Sequence, residues 1–158
     1  MSLTAPVSSV LKVRDALAAL PQSSLRGLLA AGERVHFAKD ADVVRQGDPS
    51  DAIYALLWGR VRVTRTHPDL REPLVLATLG PGEVVGEMGL LDGMPRSATV
   101  TAIDEIVIAR RIDARELAEV IVRSPEIYGG LVRLMSARLR NTDELVTELA
   151  AMRAREHS

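Results

Sequence analysis

The chain has 158 residues with a formal net charge of −1, 47% hydrophobic residues and no cysteine. A chain of this length suits a single domain that buries about 68–70% of its unfolded surface, so a core can form without metals or disulfides. The absence of cysteine excludes disulfides and cysteine-ligated metal centres, the near-zero charge offers no basic field for nucleic acid or membrane, and the lack of a spanning apolar run favours a cytoplasmic protein.

Residues 1–32 are predicted to form a helical N-terminal segment. Apolar residues recur at helical intervals over residues 10–20, and Pro21 ends that run. Ser23 or Ser24 is placed to cap a second helix that ends before Gly32. The segment therefore predicts two short helices ahead of the main body.

Residues 33–112 have the pattern of a compact antiparallel β-structure. Short runs rich in valine, isoleucine and leucine are separated by glycines, which suits strands joined by tight turns. Val61 and Val63 alternate with Arg60 and Arg62, as on a strand with one buried face. Residues 67–73 are expected to be an exposed hairpin connection.

Residues 113–158 predict two further helices. Asp113 and Glu116 have the spacing of a capping box, and Ser124 and Pro125 suit the cap and first residue of a long helix over 125–155. Apolar residues recur along that helix at intervals of three and four: Val132, Met135, Leu139, Thr142, Val146 and Leu149. This spacing favours a homodimer through the C-terminal helix, with packing against its own domain as the alternative.

The segment over residues 85–100 combines groups that suit a bound phosphate. Arg96 supplies a planar guanidinium that can pair with two phosphate oxygens, and Ser97 adds a hydroxyl beside it. Gly86 and the residues after it predict a one-turn helix with free N–H groups. The simpler interpretation is a surface turn with a solvated arginine.

Three parts of this segment occur in a fixed order: Gly86-Glu87, Gly89-Leu90-Leu91 and the run from Pro95 to Val100. The order resembles the phosphate-binding cassette of the cyclic nucleotide-binding domain family, and Arg45 to Tyr54 resembles the first half of that domain. The resemblance implies an α+β fold, in which an antiparallel β-roll or jelly roll (double-stranded β-helix) is flanked by N-terminal helices and a long C-terminal helix.

The resemblance also implies residue roles for a bound cyclic nucleotide. The phosphate would be held by Arg96, Ser97, Ala98, Met88 and Gly89. The ribose would be held by Gly86 and Glu87, since a carboxylate beside a phosphate is tolerable when it accepts from the 2′-hydroxyl.

Base recognition is implied for four residues in two parts of the chain. Val63 and Leu76 would form apolar walls, although core packing explains them equally well. Thr142 and Asp143 match positions that contact the purine in catabolite-activator-type regulators, and Arg138 would be a lid contact or a solvated arginine. Asp143 stands where a serine is common in that group, and its carboxylate can accept from the adenine amino group but would repel an acceptor edge, so it leaves the base selectivity open. Cyclic AMP is the expected ligand, and Ser97 also permits cyclic GMP.

The expected function is a non-enzymatic sensor that signals through its C-terminal helix. One alternative is the sensor half of a catabolite-activator-type transcription regulator without its DNA-binding domain, so that this chain alone would not bind DNA. A cupin-like metal-dependent enzyme is disfavoured, because the three histidines His36, His67 and His157 are scattered along the sequence. We therefore expect no metal and no membrane partner.

Overall fold

The computed structural model describes residues 22–86 and 93–157, which contain three helices and eight strands. The helices are α1 (Gln22–Ala30), α2 (Ala114–Arg123) and α3 (Glu126–Glu156). The strands are β1 (Glu33–Ala38), β2 (Asp42–Val44), β3 (Ala52–Trp58), β4 (Val61–Arg65), β5 (Leu74–Leu79), β6 (Val84–Val85), β7 (Thr99–Ala102) and β8 (Ile106–Asp113). The predicted first helix, over residues 10–20, lies outside the described residues.

The strands form two four-stranded antiparallel sheets. Sheet A has the order β1-β8-β3-β6 and sheet B has the order β2-β7-β4-β5. One apolar cluster joins the inner faces of the two sheets and includes Tyr54, Leu56, Val61, Val100 and Val107. The predicted fold class, an antiparallel β-roll with flanking helices, is therefore confirmed.

A second apolar cluster lies between the outer face of sheet A and the helices. It contains Ile53 and Ile112 from the sheet, Leu117 from α2, and Ile127 and Leu131 from α3. Residues 52–56 of β3 are buried on both faces because they lie between the two clusters. This double burial explains why β3 reads as a continuous apolar run in the sequence, without alternation.

The helix boundaries follow the capping signals in one case and depart from them in another. The capping box at Asp113 is present, with the Glu116 amide donating to Asp113 Oδ1 at 2.8 Å. Helix α3 spans Glu126–Glu156, one residue from the predicted start at 125; Pro125 already has helical backbone angles, and no side chain caps the helix. Ser124 serves both helices: its amide donates to the Val120 carbonyl at 2.9 Å at the end of α2, and its carbonyl accepts from the Ile127 amide at 3.0 Å at the start of α3.

Removal of the Asp113 carboxylate is expected to weaken the β8–α2 junction. The pKa of Asp113 is lowered, first of all by the hydrogen bond from the Glu116 amide. Its contribution is therefore present above the usual aspartate pKa and is lost as the pH falls through the lowered value. Asp113→Ala should lower the midpoint of urea unfolding at neutral pH, because the first turn of α2 loses its side-chain cap.

The matched control is Glu119→Ala, an exposed position on the same helix. Its effect should be small, because its ion pair with Arg115 is exposed to solvent. An Asp113→Ala stability equal to that of Glu119→Ala, or a difference that persists unchanged into acid, would contradict the capping role.

Helix α3 divides into a packed beginning and an exposed remainder. Ile127 and Leu131 are buried against the β-roll. Five of the six predicted seam residues are exposed: Val132, Met135, Leu139, Val146 and Leu149. The side chain of the sixth, Thr142, lies outside the described residues. In the described parts of the chain, no helix is long and apolar enough to cross a bilayer.

Candidate functional site

Arg96 is the buried centre of the candidate site. Its side chain is only 4% exposed, which is unusual for an arginine and requires compensating partners. Nη1 donates to the Gly86 carbonyl at 3.1 Å, while Nη2 donates to the Ala52 carbonyl at 2.7 Å and to Asp51 Oδ1 at 3.3 Å. These partners fix the guanidinium at the junction of β3, β6 and the segment that precedes β7.

The backbone of Arg96 is held by the loop between β2 and β3. The Arg96 amide donates to the Asp48 carbonyl, and the Gly47 amide donates to the Arg96 carbonyl, both at 2.8 Å. One step along, the Gln46 amide donates to Thr99 Oγ1 at 3.0 Å. The loop over residues 46–52 therefore positions both the main chain and the side chain of Arg96.

Asp51 links Arg96 to a second arginine. Its other oxygen, Oδ2, accepts from Arg111 Nη2 at 3.1 Å. Burial by itself lowers the pKa of Arg111, but hydrogen bonding to the Tyr54 side chain and the interaction with Asp51 outweigh it and raise the pKa above its usual value. Arg111 thus stays charged, and the trio of two guanidiniums and one carboxylate carries a net charge of +1.

This arrangement is suited to holding an oxyanion. A guanidinium has five N–H donors, and the contacts with the described residues engage three of them. The other two remain for an incoming anion as far as the described part of the chain is concerned. The excess positive charge of the trio also favours binding of an anion. It is partly shielded from water, so it attracts an anion more strongly than a charge at the surface would.

The contact between Arg96 and the Gly86 carbonyl requires glycine at position 86. Its φ is +86°, a conformation that side chains other than glycine rarely adopt. A Cβ at this position would collide with Nη1 of Arg96 and would lie 3.2 Å from the Ala52 carbonyl oxygen. Only glycine therefore lets the Gly86 carbonyl and the guanidinium approach each other in this way.

The structure locates several other predicted site residues without joining them into a complete pocket. Ser97 is exposed and Ala98 is half-buried, next to Arg96 in the chain. Glu87, Met88 and Gly89 lie outside the described residues, and so do the side chains of Arg138 and Thr142. Asp143 is exposed on α3.

The two predicted apolar walls have different environments. Val63 packs against the cluster between the sheets, and its register partner on β5 is Ala77. Leu76 falls where the β4–β5 register shifts, and it is half-buried. Ala77, which the sequence analysis did not single out, packs against the same cluster as Val63.

Sequence reasoning missed the partners of Arg96. Asp51 lies in the Gly47–Asp51 stretch that carried part of the resemblance, but no role was given to it. Arg111 lies in a strand, and its cross-strand partner is Tyr54. The strand register brings Arg111 opposite Tyr54 and near Asp51. Sequence spacing alone therefore could not reveal the trio of Arg96, Asp51 and Arg111.

The described residues provide no support for a metalloenzyme. Within 22–86 and 93–157, no three histidine, aspartate or glutamate side chains form a group that could hold a metal ion. The charged cluster at Arg96 consists mainly of permanently protonated guanidiniums, which cannot act as bases near neutral pH.

Comparison with known proteins assigns the chain to a family. The model of the cyclic nucleotide-binding domain matches residues 34–124, which is more than half of the chain. The match covers the strands, the loop over residues 46–52 and Arg96. The chain therefore belongs to the cyclic nucleotide-binding domain family, in the group that includes the catabolite-activator-type regulators.

Individual relatives agree with this assignment. The CRP-like cAMP-activated global transcriptional regulator of Mycobacterium tuberculosis (strain H37Rv) is 34% identical over 127 residues, covering 80% of this chain and 56% of the relative. The structure of Thermus thermophilus catabolite activator protein has a TM-score of 0.76 at 30% identity, covering 85% of this chain and 62% of that one. The N-terminal domain of a Streptomyces coelicolor A3(2) transcriptional regulator has a TM-score of 0.67 at 34% identity, with 86% and 94% covered. The chain spans about half the length of the curated relative.

Proposed function

We propose that this protein binds one cyclic nucleotide at Arg96, with cyclic AMP as the first choice and cyclic GMP as the alternative. The observation that carries the proposal is the buried guanidinium of Arg96, which is anchored by two backbone carbonyls and Asp51. Two of its N–H donors would pair with the phosphate. The M. tuberculosis relative is named as cAMP-activated, which supports cyclic AMP.

The remaining contacts are assigned by position in the cassette. Ser97, Ala98, Met88 and Gly89 would complete the phosphate site around Arg96, and Gly86 with Glu87 would hold the ribose. The base would contact Val63, Leu76, Thr142 and Asp143, with Arg138 as a lid contact from the long helix. Ser97 and Ala98 directly follow Arg96 in the chain, which supports the phosphate assignments.

The proposed role is regulatory and not enzymatic. The charged groups of the trio are two guanidiniums and a carboxylate paired with them, so they hold an anion without transferring a proton to or from it. Binding would act through α3, since a ligand shifts an equilibrium only by its differential affinity for two states. We place this sensor in the cytoplasm, in line with a chain that has no cysteine.

We further propose that α3 pairs with α3 of a second copy. Five exposed apolar residues lie along it at intervals of three, four, seven and three, which keeps them on one face of the helix. Leu139 is 64% exposed in the middle of this row. Glutamate at this position would place a charge in the seam of both copies, so Leu139→Glu is expected to weaken self-association at least about tenfold.

Sedimentation velocity, with and without cyclic AMP, measures this effect. The matched control is Val122→Glu, because Val122 is an apolar residue on α2 that is 80% exposed and lies outside the row. A native chain that is monomeric under both conditions contradicts the proposed dimer. A dimer that Leu139→Glu leaves intact contradicts the seam.

Thermal unfolding with four ligands tests the proposed function. Cyclic AMP, cyclic GMP, linear 5′-AMP and inorganic phosphate are each added to the full chain. A ligand that binds only the folded state at 100 times its Kd stabilises it by about 2.7 kcal/mol. We expect a concentration-dependent rise in Tm with at least one cyclic nucleotide and a much smaller rise with the linear nucleotide. Equal effects of all four ligands would reduce the site to a general anion site.

A further inference from the structure

Within residues 22–86 and 93–157, helices cover the outer face of sheet A along only part of its length. Ile53, Ala55 and Ile112 on this face belong to the cluster that packs against α1, α2 and α3. Farther along β3 and β8, toward the β3–β4 hairpin, the same face carries Trp58, Ile108 and Ile106. Trp58 is 62% exposed and Ile106 is 42% exposed. The apolar side of the sheet thus continues beyond the three helices that the structure describes.

The strand register places six residues of this region on one face. Trp58, Ile108 and His36 are register partners in a row across β3, β8 and β1. Arg110 and Arg34 are register partners in the neighbouring row on the side of the helices. Ile106 lies in the neighbouring row on the opposite side. Residues opposite each other, or two apart along a strand, share a face. We call these residues the bare patch: Arg34, His36, Trp58, Ile106, Ile108 and Arg110.

The two arginines of the bare patch are in an unfavourable arrangement. Like charges directly opposite each other on neighbouring strands are destabilising. Neither Arg34 nor Arg110 forms an ion pair with another of the described residues, and Nε of Arg110 is buried with no hydrogen-bond partner among them. The partner of Arg110 on the other neighbouring strand, β3, is Ala55, which carries no charge. A carboxylate from another molecule would reduce the repulsion between the two arginines and would accept a hydrogen bond from Nε of Arg110.

The dimensions and composition of the bare patch suit a single helix. Three adjacent strands span about 10 Å, close to the 10–12 Å diameter of an α-helix with its side chains. Tryptophan and arginine are the residue types most enriched at binding hot spots, and the patch has one tryptophan and two arginines around an isoleucine pair.

We propose that the bare patch binds an acidic amphipathic helix of a partner protein. Apolar side chains of the partner would cover Trp58, Ile106 and Ile108, and its carboxylates would pair with Arg34 and Arg110. Charge complementarity selects this occupant. The helix predicted over residues 10–20 of this chain carries Lys12 and Arg14 against Asp15, so its net charge has the wrong sign.

Fluorescence of Trp58 gives a direct test, because it is the one tryptophan of the chain. The probe is a synthetic 18-residue peptide of leucine, alanine and glutamate, with leucines at helical spacing and glutamates flanking them. Titration into the full chain should shift the emission to shorter wavelength in a saturable way. A peptide with lysine in place of glutamate should bind at least about tenfold more weakly, as expected when the charges at the rim of an interface repel.

Variants at exposed arginines separate this surface from general attraction. Arg34→Glu should weaken binding of the glutamate peptide at least about tenfold, and it should gain affinity for the lysine peptide. Arg62→Glu is the matched control, since it makes the same charge change at an exposed position on sheet B, and it should leave both affinities near those of the native chain.

Three results would overturn the proposal. One is the absence of a saturable shift. Another is a lack of charge selectivity, seen as equal binding of the two peptides or as equal effects of the two arginine variants. The third is a short-wavelength emission in the free protein that acrylamide does not quench, which would show that another part of this chain already covers Trp58.

Discussion

Replacement of Arg96 by alanine is expected to abolish measurable cyclic nucleotide binding. The variant removes the one buried guanidinium that the described residues hold at the candidate site. A hydrogen bond to a charged group contributes about 1.5–3 kcal/mol, which corresponds to a loss of about ten- to a hundredfold in affinity for each such bond. Calorimetric titration of the native and variant proteins measures the loss.

Arg96→Ala also removes a donor from the Gly86 and Ala52 carbonyls, so stability must be examined separately. An unsatisfied buried group costs about 1–3 kcal/mol, and urea unfolding will show whether the variant remains folded at the titration temperature. Arg96→Lys provides a second test, because lysine keeps the charge without the planar fork and should also bind much more weakly.

The matched control is Arg62→Ala, at an exposed arginine on β4. It removes the same charge from the protein and should leave the affinity unchanged. A folded Arg96→Ala or Arg96→Lys protein that binds cyclic nucleotide as tightly as the Arg62→Ala protein would rule out Arg96 as the phosphate ligand.

Gly86→Ala is expected to damage binding through Arg96. Two effects combine, since a side chain at φ +86° is strained and its Cβ would collide with Nη1 of Arg96. The strain costs about 1–2 kcal/mol of stability. Displacement of the guanidinium should then lower affinity by a further factor of about ten or more, because a misplaced charged hydrogen bond loses most of its energy.

Gly82→Ala separates these two effects. Gly82 has a φ of +88°, but a Cβ there would meet nothing within 4 Å. The two variants should therefore lose similar stability from backbone strain, while only Gly86→Ala loses affinity in the folded protein. Equal affinities of the two variants would show that contact between Gly86 and Arg96 does not position the phosphate ligand.

Much of the fold could be predicted from the sequence because its signals are local. The capping box at Asp113 depends on residues three apart, and the alternation around Val61 and Val63 on neighbours in one strand. The start of α3 was less fully predicted, since Ser124 both ends α2 and accepts from the first turn of α3 through its backbone, without the side-chain cap that the sequence suggests.

The candidate site could be predicted only in part, for a related reason. Arg96 stands out in the sequence because it lies in an ordered cassette with Gly86. Its partners Asp51 and Ala52 lie more than forty positions away in the chain, and Arg111 joins them through the pairing of β3 with β8. Such contacts depend on strand register, which is set by long-range packing and not by local spacing.

The Asp51 trio also changes how Arg96 is understood. In the sequence, Arg96 is a charge at a turn; in the structure, it is a buried group fixed before any ligand arrives. Pre-organisation of this kind reduces the entropy lost on binding. It also means that a phosphate would join an existing network and would share Arg96 with Asp51.

The most direct test of the central claim is calorimetric titration of the native full chain with cyclic AMP and, separately, cyclic GMP. The protein should first be stripped of any co-purified nucleotide by reversible unfolding, and its refolded state should be checked by circular dichroism. The account predicts saturable binding of one cyclic nucleotide per chain, tighter for cyclic AMP. The absence of saturable heat with both nucleotides, in folded and ligand-free protein, would contradict it.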